Sequence, residues 1–358
     1  MKKYIYVIIV FLILGTFQII PVGSAFGETV NHERRIKNVT WNWISVSPDG
    51  KKVTACAEWG KEEGGLLRIF NGKAWSETVT NFRMLSPVAL SENGSIGKTA
   101  GVIPRNNLET SVLLKLDGNM IVKEAEYNEI PFTRFKSFCL TTDGKKGYAV
   151  GWKCRTKRTS GEMLPTEDKY GFIMQYASGK WKSLNIKGVD ELRVMFSVCL
   201  TPEGRKGWAV GAKGTILYYD GEEWGLYELD TPVKKDLYSV CISDDGKKAI
   251  AVGEAGTILS YSDKQWSQIS LTGITAKLNS VSLSSDFSKG FIVGNDGLII
   301  LIEGDSYRKY KSPELLLSEA DLKSVSMAKD GTKAYAVSSK YILEYKDDKW
   351  EKIYTEKR

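Results

Sequence analysis

Residues 197–224, SVCLTPEGRKGWAVGAKGTILYYDGEEW, return three times later in the chain: SVCISDDGKKAIAVGEAGTILSYSDKQW at 239–266, SVSLSSDFSKGFIVGNDGLIILIEGDSY at 280–307 and SVSMAKDGTKAYAVSSKYILEYKDDKW at 324–350. A unit of this size cannot bury its apolar face alone, so the repeat dictates that the core is built by stacking neighbours. Anchored on its second residue, the series is Ile44, Val88, Phe138, Val198, Val240, Val281 and Val325, with steps of 44, 50, 60, 42, 41 and 44 residues. That makes seven units, with insertions in the second and third.

Spacing inside the unit is tighter than the period. Six positions after each anchor stands a turn residue: Gly50, Gly94, Gly144, Gly204, Gly246, Phe287 and Gly331. Seven further on ends a small apolar triplet such as Ala149-Val150-Gly151, Ala209-Val210-Gly211 or Ala251-Val252-Gly253. Each unit therefore reads as four short strands: an apolar run, an Asp-Gly-type hairpin turn, the triplet, a third strand such as 215–219, and a fourth strand opened by an aromatic. That aromatic is Trp75, Trp181, Trp224, Trp266, Tyr307 or Trp350, with Met120 at the matching place in the second unit. No helical periodicity competes, and four-strand units of this length are blades.

The expected fold is all-β, a seven-bladed β-propeller of four-stranded antiparallel blades at about 41–82, 83–130, 131–192, 193–236, 237–278, 279–321 and 322–358. Unit seven carries its own fourth strand, 350–354, so closure is expected face to face rather than through a strand lent by the other terminus. Near the axis the blades converge, and the residue after each anchor is small: Ser45, Ala89, Cys139, Cys199, Cys241, Ser282 and Ser326. Cys139, Cys199 and Cys241 thus belong to a packing column, and Cys56 to the triplet column, as compact core residues and not as disulfide or metal partners. Cys154 alone falls outside the columns, in an insertion.

Lys2 and Lys3, an apolar run over 4–20, Pro21 and the small residues Gly23, Ser24 and Ala25 read as a signal peptide over 1–25, cleaved after Ala25, followed by a leader or tether over 26–40. Cleavage removes two lysines and no acid, lowering the net charge from +7 to +5. That excess is too small and too dispersed for a nucleic-acid footprint. The expected address is exported: periplasmic, secreted or at the cell surface, with a membrane met only through an uncleaved signal segment.

The stretch GWAVG-x-x-GTIL-x-x-x-DG-x-x-W (207–224), echoed at 251–266, resembles the photosystem assembly-factor-like and BNR-like propeller repeats of exported bacterial proteins, within the WD40/YVTN-like group. The turns Ser47-Pro48-Asp49-Gly50 and Ser243-Asp244-Asp245-Gly246 also resemble the SPDG turns of WD40-like and TolB-like propellers. The resemblance implies an extracytoplasmic ring serving as a binding or assembly platform. Sialidase-type Asp-boxes are not matched, because Asp143-Gly144 and Asp245-Gly246 are adjacent and the following aromatic is missing; WD dipeptides are absent. No family residue is carried over.

A Ser-His-Asp or Cys-His relay needs an imidazole beside the nucleophile, and the sole histidine, His32, stands in the leader. No cofactor or metal is expected. A pair of carboxylates could still serve a glycosidase or sialidase at a channel mouth, but Asp49, Asp143, Glu203, Asp220, Glu222 and Asp245 fall in turns, where Asp caps tight bends.

The departures from the repeat are more informative, since loops on a rigid scaffold carry recognition. Between triplet and third strand the fourth and fifth units spend two residues, Ala212-Lys213 and Glu254-Ala255, whereas the first spends 58–64, the second 102–110 and the third 152–169. These loops share a face with the inter-blade connections, so blades 1 to 3 raise a ridge there. Its candidate binding residues are Trp59, Arg105, Trp152, Arg155, Lys157 and Arg158, interspersed with Glu62, Glu63, Glu162 and Glu167. Aromatic plus arginine is the composition of a protein-binding hot spot, or of a platform for a carbohydrate or an acidic ligand; the alternative is a solvated excursion in which the WKCRTKR run stays wet. The expectation is a monomeric, non-enzymatic scaffold for a protein partner, with a carbohydrate-active propeller enzyme as the competing reading.

Overall fold

Seven tight turns set the architecture. The computed structural model describes residues 39–59, 64–80, 82, 86–105, 108–117, 120–124, 130–159, 162–310 and 320–355. The expected signal segment, His32 and nearly all of the leader lie outside these residues; the first strand opens at Val39, two residues before the expected domain start. Six places after each anchor the backbone takes φ between 62° and 71°, at Gly50, Gly94, Gly144, Gly204, Gly246, Phe287 and Gly331. That left-handed region suits glycine, which has no Cβ to clash. Phe287 adopts it with its ring buried in the core between blades 5 and 6.

Side chains ahead of the turn lock it. Ser243 Oγ donates to Asp245 Oδ1 (2.7 Å), which also accepts the Lys247 N–H (2.9 Å), while Ser243 Oγ accepts the Lys248 N–H (3.0 Å). Blades 1, 3 and 6 repeat the arrangement with Asp49, Asp143 and Asp286.

Each of the seven sheets contains a meander of four consecutive antiparallel strands, and they are arranged as the blades of a propeller. Blade 4, for example, comprises Met195–Leu200, Gly207–Gly211, Ile216–Tyr219 and Trp224–Leu226. Blade 2 is the irregular one: its first strand is only Ala89–Leu90, and the connection Ile130–Pro131 adds a short fifth strand along Thr110 and Ser111. The reason is length: the third strand, Leu108–Asp117, outruns its outer partner Met120–Lys123, leaving an edge that the returning chain covers.

First strands stand side by side at the axis and are stitched by serine. The residue before the anchor accepts a hydrogen bond from the next blade's anchor N–H: Ser137 from Val198 (3.3 Å), Ser197 from Val240 (3.2 Å), Ser239 from Val281 (3.2 Å), Ser280 from Val325 (3.2 Å) and Ser324 from Ile44 (3.4 Å). The last of these closes the ring. A second closing bond runs from the Val46 N–H to Ser326 Oγ (3.0 Å), and among the described residues no strand is shared between first and last blades, as unit seven's own outer strand implied.

The small column after the anchors is half-buried on these inner strands throughout. Burial pushes the Cys139 thiol up to about 12 and raises Cys199 and Cys241 as well. All five thiols are unbridged. At the rim, Trp224 packs edge-on against Tyr148 of the preceding blade (5.1 Å between centroids), Trp266 against Trp208 (5.1 Å) and Trp350 against Phe291 (5.0 Å). Small at the axis and aromatic outside, the wedges match their taper.

On the turn face the backbone forms a belt. The N–H of Glu92 donates to Thr142 O (2.9 Å), Thr142 to Pro202 O (2.9 Å), Asp244 to Ser285 O (3.1 Å), Ser285 to Lys329 O (2.9 Å), Lys329 to Pro48 O (3.1 Å), and Asp49 to Glu92 O (3.1 Å). Pro202 has no N–H and cannot donate onward to blade 5.

Candidate functional site

The opposite end of the axis is built differently. In six of the inner strands the register slips by one residue, between Trp41 and Trp43, Phe135 and Ser137, Met195 and Ser197, Leu237 and Ser239, Leu278 and Ser280, and Leu322 and Ser324. The cause is local: Leu237 and Val240, three residues apart, are both buried, which strict alternation cannot achieve and one extra residue can. Glycine in the adjoining triplet makes room for it, since a Cβ on Gly253 or Gly211 would overlap the carbonyl of Asp236 or Val194 just ahead of the bulge.

The bulged residues are Asn42, Lys136, Phe196, Tyr238, Asn279 and Lys323, and all six line one cavity of about 480 Å³ at the channel mouth. Each is half-buried. A bulge re-aims a side chain, and here the same device is used on six blades to point six different groups at one space. Trp43, Glu58, Lys277, Asn295 and Asp321 complete the wall.

The mouth has a polar and an aromatic side. Lys323 Nζ donates to Asn42 Oδ1 (2.7 Å), and Asn42 Nδ2 donates to Glu58 Oε1 (3.3 Å). Burial lowers the Lys323 pKa, opposed by the nearby charges of Glu58 and Asp321. Asn279 Nδ2 donates to Asn295 Oδ1 (2.8 Å) and to Leu322 O (2.9 Å). Across the opening, Phe196 and Tyr238 lie 5.2 Å apart and the Lys277 ammonium sits 4.1 Å from the Tyr238 ring centroid. None of the six bulged residues was among the expected site residues.

The expected ridge lies on this same face. In blade 3 the second and third strands, Lys146–Thr159 and Glu162–Ala177, stay paired out to Thr159 opposite Glu162. Pairing with the inner strand stops at Lys153, so the rest forms a free-standing β arm reaching about 20 Å at about 3.3 Å per residue. The run 152–159 is thus a strand and not an irregular excursion. Blades 1 and 2 extend more modestly, pairing Trp59 with Gly64 and Arg105 with Leu108; the side chains of Trp59 and Arg105 lie outside the described residues.

Of the remaining ridge residues, Trp152 is half-buried at the arm's base under the Lys169 ammonium (4.3 Å). Arg155 pairs with Glu191 of the connection to blade 4, and Lys157 and Arg158 are exposed toward the tip. Met163, 52% exposed, stands opposite Arg158. Between arm and connection opens a cleft of about 1160 Å³, lined among others by Phe132, Lys153, Cys154, Tyr170, Ile186 and Glu191.

The turn acids behave as caps. Hydrogen-bond donors hold Asp143, Asp220 and Asp245 below the usual carboxylate range, and the backbone N–H and hydroxyl of Ser288 with Ser284 bring Asp286 to about 2. A general acid needs the reverse, a carboxyl kept protonated by burial or a like-charged neighbour. The two carboxylates at the mouth, Glu58 and Asp321, have the Lys323 ammonium as neighbour. Among the described residues no three His, Cys, Asp or Glu side chains converge as metal ligands. No family model matches the chain, and no curated protein matches it.

Proposed function

We propose that the protein is a non-enzymatic, extracytoplasmic binding scaffold whose recognition face carries the hairpins of blades 1 to 3. The observation that carries this reading is the blade 3 arm: a paired β hairpin beyond the ring presents Lys157, Arg158 and Met163 to solvent on a rigid base. Arginine, methionine and aromatic groups are the side chains enriched at protein interfaces, and the basic arm selects a protein partner with an acidic contact surface. Export is supported by the signal-like segment 1–25 alone.

The test places a photo-cross-linking residue at Thr159, or at Lys247 on the turn face, in the full chain in its own cell. One discrete protein adduct from Thr159 and none from Lys247 is expected. Combined Arg155→Ala, Lys157→Ala and Arg158→Ala substitution should diminish it with the melting temperature unchanged. Equal labelling from both faces, no adduct from Thr159, or an adduct indifferent to the triple substitution overturns the reading.

A further inference from the structure

We infer that the channel mouth is a second and separate site, which binds an acidic saccharide. The first ground is the contrast between columns. At the position before the anchor, five blades place the same residue, Ser137, Ser197, Ser239, Ser280 and Ser324, because the interblade bond demands it. One residue earlier, six bulges turn six side chains into a common space, and there the types diverge: two asparagines, two lysines, a phenylalanine and a tyrosine. Packing that imposes one residue type on its neighbours imposes none here: Lys323 and Asn279 do reach the adjoining blade, but the residue types differ, so the ring alone does not set the column.

The second ground is the mixture. Lys136, Lys277 and Lys323 converge with Glu58 and Asp321 on the one cavity. A simple anion would use the ammonium groups but would leave idle the carboxylates and amide oxygens, each of which can accept a further donor beside the one it already has from Asn42, Lys323, Asn279 or the Asp296 N–H. A ligand bearing both a carboxylate and several hydroxyls satisfies all of them, and the apolar face of a sugar ring stacks on Phe196 and Tyr238. The ammonium groups are already positioned, Lys323 by Asn42 and Lys277 by the Tyr238 ring, so little ordering remains for the ligand to impose. At about 480 Å³ the space lies within the range of small-molecule pockets, about 300–1,000 Å³.

The experiment is calorimetric titration of the mature chain with trigalacturonate, with the matching neutral galactose trimer and with inorganic phosphate. Saturable binding of the uronate is expected, at least tenfold weaker for the neutral trimer and for phosphate. Lys323→Met and Tyr238→Ala should each weaken uronate binding at least tenfold, while Lys157→Ala with Arg158→Ala leaves it unchanged, which separates this site from the arm. Should Lys323→Met fail to fold, Lys136→Met, from blade 3, reads out the same charge. Absence of saturable uronate binding, equal affinity for the neutral trimer or for phosphate, or undiminished affinity in the folded mouth variants overturns the inference.

Discussion

Lys323 Nζ donates to Asn42 Oδ1 at 2.7 Å, joining the last blade to the first across 281 residues of sequence. The bond lies at the channel mouth, so the contact that helps to seal the ring also positions one of the mouth's cations. Beneath it, Ser324 repeats between blades 7 and 1 what Ser280 does between blades 6 and 7. Closure therefore uses the ordinary inter-blade chemistry.

Ser280→Ala and Ser324→Ala should accordingly destabilise the protein to the same degree, each by about 1–3 kcal/mol, because each leaves a buried N–H without its acceptor. Urea unfolding of the two variants checks this. A far larger loss for Ser324→Ala would mark the closing junction as special.

Phe287 combines a left-handed backbone with a buried ring. Removing the ring in Phe287→Ala should cost about 3–5 kcal/mol. Phe287→Gly also relieves a conformational cost of about 1–2 kcal/mol, partly offset by glycine's greater chain entropy. The glycine variant should be the more stable of the two by about 1 kcal/mol, opposite to the usual order of alanine and glycine within strands. Thermal melts of both variants decide it.

The pH dependence follows from the turn caps. Asp286 titrates at about 2 in the folded chain, below its ordinary 3.8, so its contribution to stability is complete above the ordinary value and is lost as pH falls through about 2. Blade 2 places Asn93 at the same turn position, its Oδ1 accepting the Ser95 N–H (2.9 Å), so asparagine keeps the cap without the charge. Asp286→Asn keeps the cap but should lower stability at pH 7 by the charge-dependent part of that contribution, and should flatten the loss between pH 4 and 2. Melting temperatures measured across that interval test the sign.

Processing gives a further outcome. If residues 1–25 act as the proposed signal peptide, Phe26 should be the first residue of exported material, which intact-mass measurement reads directly. A mass that includes residues 1–25 in exported material contradicts the cleavage site.

What could be read from the sequence was what packing repeats. The Gly204 and Gly246 turns, the Ala209-Val210-Gly211 triplet and the Trp224 and Trp266 positions recur because neighbouring wedges ask the same thing of each unit, and all fall where the spacing put them. The mouth escaped notice because Asn42, Phe196 and Lys323 share no chemistry and therefore form no visible column. A trace existed: two buried apolar residues three apart, as Leu237 and Val240, betray an extra residue in an alternating strand. The arm was legible as an insertion but not as a strand pair, since its run of Lys153, Arg155, Lys157 and Arg158 suits a solvated loop as well as an exposed hairpin. The pairing of Arg155 with Glu191 joins the blade 3 arm to the connection leading to blade 4, which no local pattern announces.

That each wedge is four consecutive strands has one more consequence. Because no described strand is lent across the seam between residues 39 and 355, which blade comes first is incidental to the architecture of the ring. Severing the link between blades 4 and 5 and splicing the old termini together would yield a circular permutant with the same ring. By the same logic such a gene can grow or shrink by whole modules, with curvature alone setting how many fit.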